Sequence, residues 1–179
     1  TRYKDRADSI AKVSDLLAVM AAAQPGHYLA FFPSYSYLQQ VWEDFAARYP
    51  DQPTLCQESS MDEGQRTEFL AQFLARDGKP LLGFAVLGGV FGEGVDLTGE
   101  SLIGVAVVSP GLPQIGPRQE QLRDYFEETR GAGFDYAYRY PGMNKVLQAA
   151  GRVIRTPQDR GVVLLIDDRF LAPDTRRLM

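Results

Sequence analysis

A doubly wound α/β domain with a parallel sheet is predicted by three observations. "HYLAFF", "PLLGFAVL", "SLIGVAVVSP" and "GVVLLI" are continuous apolar runs too short for buried helices, as expected of strands covered on both faces. Amphipathic helical patterns separate them, and such alternation is the mark of an α/β sheet. The 179 residues, 45% hydrophobic, suffice for one sizeable core, so residues 1–179 are read as one domain.

Taken in order, Ile10, Val13, Leu16, Leu17 and Met20 recur at helical spacing behind Asp8 and Ser9, predicting a helix to about Ala23 that stops at "QPG". "HYLAFF" follows as a buried strand. Pro33 and Ser34 end it and open a second helix whose core stripe is Leu38, Val41, Trp42, Phe45 and Tyr49. Ser60 and Glu63 form a capping-box pattern ahead of Phe69, Leu70, Phe73 and Leu74, giving a third helix that closes at Asp77-Gly78. After two apolar strands the pattern changes over residues 116–142 to a helix and a Gly- and Tyr-rich connection, an excursion from the sheet. The next helix, from about Met143, has Val146, Leu147, Ala150 and Ile154 on its apolar side, and "GVVLLI" is the last strand.

The net charge of −4 argues against a generally basic nucleic-acid coat, but the sum hides an asymmetry. Residues 1–117 hold 8 Lys+Arg against 14 Asp+Glu, and residues 118–179 hold 11 against 9. No apolar run reaches the roughly 20 residues that span a bilayer, and the N-terminal stretch lacks the apolar core of a signal peptide, so a soluble, cytoplasmic protein is expected. The chain begins at Thr1, which suggests a piece of something longer. The single cysteine, Cys56, is read as a small half-buried hydrophobe, and His27 has no acid–base partner in its local sequence.

Two stretches carry candidate chemistry. "GGVFGEGVDLTGE" packs Gly88, Gly89, Gly92 and Gly94 around Glu93 and Asp96 in a loop leaving the carboxyl end of a parallel strand, where such folds place ligands. A plain turn between strands would use the same glycines, and the loop is neither GxxxxGK[ST] nor GxGxxG. "QAAGRVIR" sets Arg152 and Arg155 three apart on a helix beside Gly151, offering two planar cations to phosphate oxygens. Arginines at a helix C-terminus also complement its dipole. "VVLLIDDR" looks like a magnesium-binding strand end, but without a phosphate loop Asp167 and Asp168 are read as capping the turn or pairing with Arg169 or a nearby arginine. No metal ligand is assigned. Residues Arg118 to Tyr140 interleave arginines with aromatics, a mixture suited to stacking single strands but read here as packing.

"QAAGRVIR" resembles the Q-x-x-G-R-x-x-R motif VI of superfamily 2 helicases, and "GVFGEGVDL" resembles their motif V, with Asp96 lying 52 positions before Gln148. "GHYLAFFPSY" and "GRVIRTPQDRGVVLLIDDRF" are similar to the XPD/DinG branch, so the resemblance runs from about Gly26 to Phe170. It implies a RecA-like second lobe of an ATP-dependent DNA helicase acting in repair or replication, in a bacterial cytosol or nucleoid. By that resemblance Arg152 and Arg155 are the catalytic arginines for ATP and Mg²⁺ held jointly with a preceding RecA-like lobe. Gln148, Gly151, Glu93, Gly94 and Asp96 would line the nucleotide cleft. Ser34, Tyr35 and Ser109 would contact single-stranded DNA during 5′ to 3′ movement. An iron–sulfur cluster would belong to the first lobe, not to this chain. With half a site, the chain alone is expected to hydrolyse no appreciable ATP. The rival readings are a non-catalytic nucleic-acid-binding or protein-interaction module with the same fold, and a free-standing enzyme using Asp167 and Asp168.

Overall fold

The first strand, β1 (His27–Phe32), occupies the centre of a five-stranded, all-parallel sheet of order β2-β3-β1-β4-β5. Its partners are β3 (Leu81–Val86) and β4 (Gly104–Val108), with β2 (Thr54–Cys56) and β5 (Val162–Ile166) at the edges. This computed structural model describes residues 1–75, 79–91, 102–154, 156 and 158–179.

Both faces of the central strands are apolar because both are covered. Tyr28, Ala30 and Phe32 point toward α1 (Arg6–Ala23) and α2 (Tyr35–Arg48), meeting Val13, Leu17, Leu38, Val41 and Phe45. Leu29 and Phe31 point the other way, into a cluster with Phe73 of α3 (Glu63–Leu74) and Met143, Val146 and Ala149 of α5 (Tyr140–Ala150). Full burial of each phenylalanine contributes about 2–3 kcal/mol. This is the expected doubly wound arrangement.

Several local expectations are corrected. The first helix starts at Arg6, ahead of Asp8, and Leu16 is exposed because the buried face is Val13, Ser14, Leu17, Met20 and Ala21. The capping box of α3 is Asp62 with Gln65, not Ser60 with Glu63: Asp62 accepts from the Gln65 N–H at 2.8 Å while the Gln65 side chain accepts from the Asp62 N–H at 2.9 Å. That helix ends at Leu74, and the Asp77-Gly78 pair lies outside the described residues. The three-residue edge strand β2 has no apolar run to announce it. His27 bridges the start of β1 to its surroundings, its ring nitrogens 2.9 Å from the Phe73 carbonyl and 3.1 Å from that of Lys79.

The excursion after β4 is α4 (Pro117–Arg130), capped by Gly131, followed by a π-helical turn at Asp135–Arg139 that runs directly into α5. None of α4 is buried. Its aromatics stack on those of the π turn, Phe126 on Tyr136 with centroids 4.4 Å apart, and Tyr138 donates to Glu120. Instead of packing onto the sheet as expected, the excursion's aromatics pack mainly on one another, with Tyr125 and Phe134 exposed and Tyr138 buried. Helix α5 begins three residues before Met143 and buries Met143, Val146, Ala149 and, just past its end, Val153, leaving Leu147 and Ile154 exposed.

Gly142 lets α5 press against the strand-end loop. A Cβ there would lie 2.6 Å from the Pro110 carbonyl oxygen and 2.9 Å from Leu112. Helix propensity favours alanine at this position by about 1 kcal/mol, but the backbone contact decides the sign. Gly142→Ala is expected to destabilise the chain by about 1–3 kcal/mol, read as a lower urea midpoint at unchanged m-value.

Candidate functional site

Since all five strands run in one direction, their carboxyl ends share one edge, and the loops that leave it carry the polar residues singled out in the sequence. Ser34 follows β1 and caps α2, accepting from the Tyr37 N–H at 3.4 Å. Tyr35, next to it, is 37% exposed. Ser109 follows β4, immediately beside β1, at φ +82°, the one non-glycine residue with positive φ among those described. Such a backbone costs of order 1–3 kcal/mol and persists only where its surroundings enforce it. Here the Ser109 N–H donates to the Ile166 carbonyl at 3.2 Å, and its hydroxyl accepts from Arg169 at 3.0 Å.

The other end of that network is Asp167, whose carboxylate is fully enclosed. Arg169 grips it through Nε at 2.7 Å, Nη2 at 2.9 Å and its own N–H at 2.9 Å, and the Thr1 hydroxyl donates as well. Burial alone would raise this carboxyl. The hydrogen bonds from Arg169 and Thr1, with the arginine's charge, outweigh burial and hold it well below the ordinary carboxylate range. Asp167 therefore caps the turn and pairs with Arg169, as the sequence suggests, and Asp168 pairs with Arg2 at 3.0 Å on the surface.

Gly88 and Gly111, at φ +75° and +61°, turn the chain after β3 and β4. The Lys145 side chain of α5 lies over both. The glycine-rich loop thus leaves the expected strand end, but its candidates Glu93, Gly94 and Asp96 lie outside the described residues. Phe91, the last described residue before them, is buried against Phe69 with ring centroids 4.4 Å apart.

The arginine stretch is placed differently. From Lys145 beside the strand-end turns, α5 runs back along the sheet to Val153, which packs near Gly161 just before β5. Gln148 is exposed, Gly151 is exposed and Arg152 is partly exposed, so these three share the far end of α5 and do not join Ser34, Tyr35 and Ser109. The helix stops at Ala150; Gly151, Arg152 and Val153 form a turn in which the Arg152 N–H donates to the Ala149 carbonyl at 3.1 Å. Arg152 therefore lies past the end of the helix, in the turn, and Arg155 lies outside the described residues. Leu147 and Ile154, 45% and 46% exposed, flank the turn with apolar surface.

Two residues that local sequence gives no reason to notice, Gln57 and Arg6, complete the strand-end edge together with Arg169. Buried Gln57, after β2, accepts from the Val86 N–H at 2.8 Å and donates to the Tyr35 hydroxyl at 2.9 Å, tying that ring to the end of β3. Arg169 holds Ser109, and Arg6 donates to the Ser34 hydroxyl at 3.3 Å. Each contact joins residues 22 or more positions apart. Burial pushes the Cys56 thiol up to about 12, helped by Glu58 and Glu43, so it stays protonated and behaves as the small hydrophobe expected. Among the described residues no helix is long and apolar enough to cross a membrane, and no group of three or more His, Cys, Asp or Glu is placed to hold a metal ion.

Residues 17–179 match the model of the helicase C-terminal domain. The chain is 31% identical over 193 residues to regulator of telomere elongation helicase 1 of Bos taurus, covering 98% of this chain and 16% of that protein. It is 30% identical over 161 residues to ATP-dependent DNA helicase chl-1 of Caenorhabditis elegans, covering 86% of this chain and 19% of that one. Among solved structures, an XPD helicase superposes with a TM-score of 0.76 at 20% identity over 99% of this chain and 31% of its own. Domain 2 of the DEAD-box helicase Mss116p, bound to an RNA duplex, superposes with a TM-score of 0.56 at 16% identity, over 97% of this chain and 55% of its own. The fold is RecA-like, and the chain spans less than a fifth of the curated relatives just named.

Proposed function

This chain belongs to the helicase C-terminal domain family, and from that membership we propose that it is the second motor lobe of an ATP-dependent DNA helicase. Its nucleotide is held jointly with a preceding lobe that brings the phosphate loop and Mg²⁺. Arg152 and Arg155 reach that nucleotide, with Gln148 and Gly151 beside them and Glu93, Gly94 and Asp96 on the same cleft. The observation that carries this reading is the turn after α5. A family-matching segment presents Gln148 and Arg152 between the exposed apolar side chains Leu147 and Ile154. Apolar surface around a cation suits a face that closes on another protein body.

Water attack on the terminal phosphoryl group needs little covalent help from protein; it needs positioning and compensation of the charge spread over the equatorial oxygens. Arginine supplies both, since its planar fork is permanently charged. Ser34 and Tyr35 sit at the strand ends, away from that turn, and hold the single strand through phosphate contacts that position without reading sequence, while Ser109, buried beside them, shapes the same edge. Opening and closing of the two lobes around ATP then alternates the grip and moves the strand from 5′ to 3′, serving repair or replication.

The test is ATP turnover by a polypeptide that carries this chain behind a phosphate-loop lobe, with and without oligothymidylate. Turnover that rises with the single strand, and is absent from the 179-residue chain alone, is the expected result. Turnover indifferent to the single strand removes the motor reading and leaves a binding module with a RecA-like fold.

A further inference from the structure

We propose that Arg6 is a phosphate-binding residue, supplying the positive charge of the subsite in which Ser34 touches the single strand. This rests on the nucleic-acid reading above, but Arg6 lies outside residues 17–179, so the family match does not reach it.

The reason is a charge without a counter-charge. Two other half-buried arginines are each neutralised by a carboxylate: Arg139 by Asp135, and Arg169 by Asp167. Arg6 is also partly buried, yet no ion pair joins it to a carboxylate among the described residues, although Asp5 and Asp8 flank it in sequence. Its Nε is the one buried side-chain nitrogen or oxygen without a hydrogen-bond partner among those residues. Taking a guanidinium out of water is costly unless an anion compensates, and native structures leave few such donors unsatisfied. Arg6 nevertheless stands in a fixed place. Its guanidinium carbon lies 5.2 Å from the centroid of Tyr3 and 5.1 Å from that of Tyr37, and Tyr37 is itself held by Ser9 at 2.7 Å.

The position identifies the anion. Nη1 donates to the Ser34 hydroxyl at 3.3 Å, at the carboxyl end of β1, on the same edge as Ser109. A phosphodiester of an extended strand laid along that edge would find a planar cation and a hydroxyl side by side. Arginine held near two rings loses little side-chain entropy on binding, so its charge is available at small cost.

A single phosphate contact has a measurable signature, because each one on a single strand contributes about 0.7 to the slope of log affinity against log salt concentration. Anisotropy of a labelled oligothymidylate, titrated with the 179-residue chain across a salt series, gives that slope. Arg6→Gln is expected to bind more weakly and to flatten the slope by about 0.7, while Arg6→Lys keeps it. Arg6→Met, which retains an apolar stem beside the rings, serves as a second neutral variant should Arg6→Gln fold poorly, and it should flatten the slope equally. Thermal melting run in parallel separates a folding role, which would move the melting temperature and leave the slope alone. An unchanged slope in a folded neutral variant overturns the assignment and leaves the nucleic-acid reading standing. Absence of any binding by the unmodified chain at low salt overturns both.

Discussion

Arg152→Ala, in a polypeptide that joins this chain to a phosphate-loop lobe, is expected to lower single-strand-stimulated ATP turnover by about 10³-fold or more while ATP affinity is largely kept. The magnitude follows from where the charge acts. A cation that meets the terminal phosphoryl group only as its bonds change stabilises the transition state more than the bound nucleotide, so turnover falls and affinity does not. Arg152→Lys is expected to recover little of the loss, since a point charge on a flexible stem does not reproduce a planar fork. Arg155→Ala should behave alike. Unchanged turnover in both alanine variants would make these arginines surface cations and bring the binding-module reading forward.

The second large effect concerns stability. Asp167→Ala is expected to destabilise the chain by about 3 kcal/mol, the low end for breaking a buried ion pair, because Arg169 keeps part of its surface in solvent. The loss reaches Ser109, whose strained backbone is held in part by the same arginine. It is also pH-dependent. The Asp167 carboxyl sits below its unfolded value of about 3.9, so its stabilisation is complete above that pH and is lost as acid protonates the folded carboxylate. Thermal melting followed downward from neutral pH should hold steady until about pH 4 and then decline. In Asp167→Asn that decline should be shallower. An equal acid decline in the two proteins would assign the effect to other carboxylates.

What could be read along the chain was whatever leaves a local trace. Strands buried on both faces announce themselves as unbroken apolar runs, and Tyr28 and Leu29, adjacent yet facing opposite layers, show why. Ser34 as the opening of α2 and Asp167 as the partner of Arg169 were legible at short range. The edge strand β2 was not, since three half-buried residues carry no periodic signal. On α5 the period was seen but its phase was off. Leu147 and Ile154 look like core by composition, whereas Met143, Val146 and Ala149 face the sheet because the helix enters from a π turn three residues early. Arg6 and Gln57 acquire their meaning only from residues 28 and 22 positions away, which no local pattern encodes.

The sheet order also bears on how the molecule comes into being. Within this chain the central strand β1 precedes its neighbours, and β2, β3 and β4 all come before the excursion and β5. Domains tend to form from the N-terminus outward while the ribosome delivers about 5–20 residues each second. A half-finished chain therefore already holds four adjacent strands, β2, β3, β1 and β4, with two apolar faces, one screened by α1 and α2 and the other by α3 without α5. Until residues 140–166 arrive, the flank of β4 and the face behind it stay open to other nascent chains. Aggregation during synthesis is thus most acute in that interval, and slower elongation through the α4 segment would lengthen it.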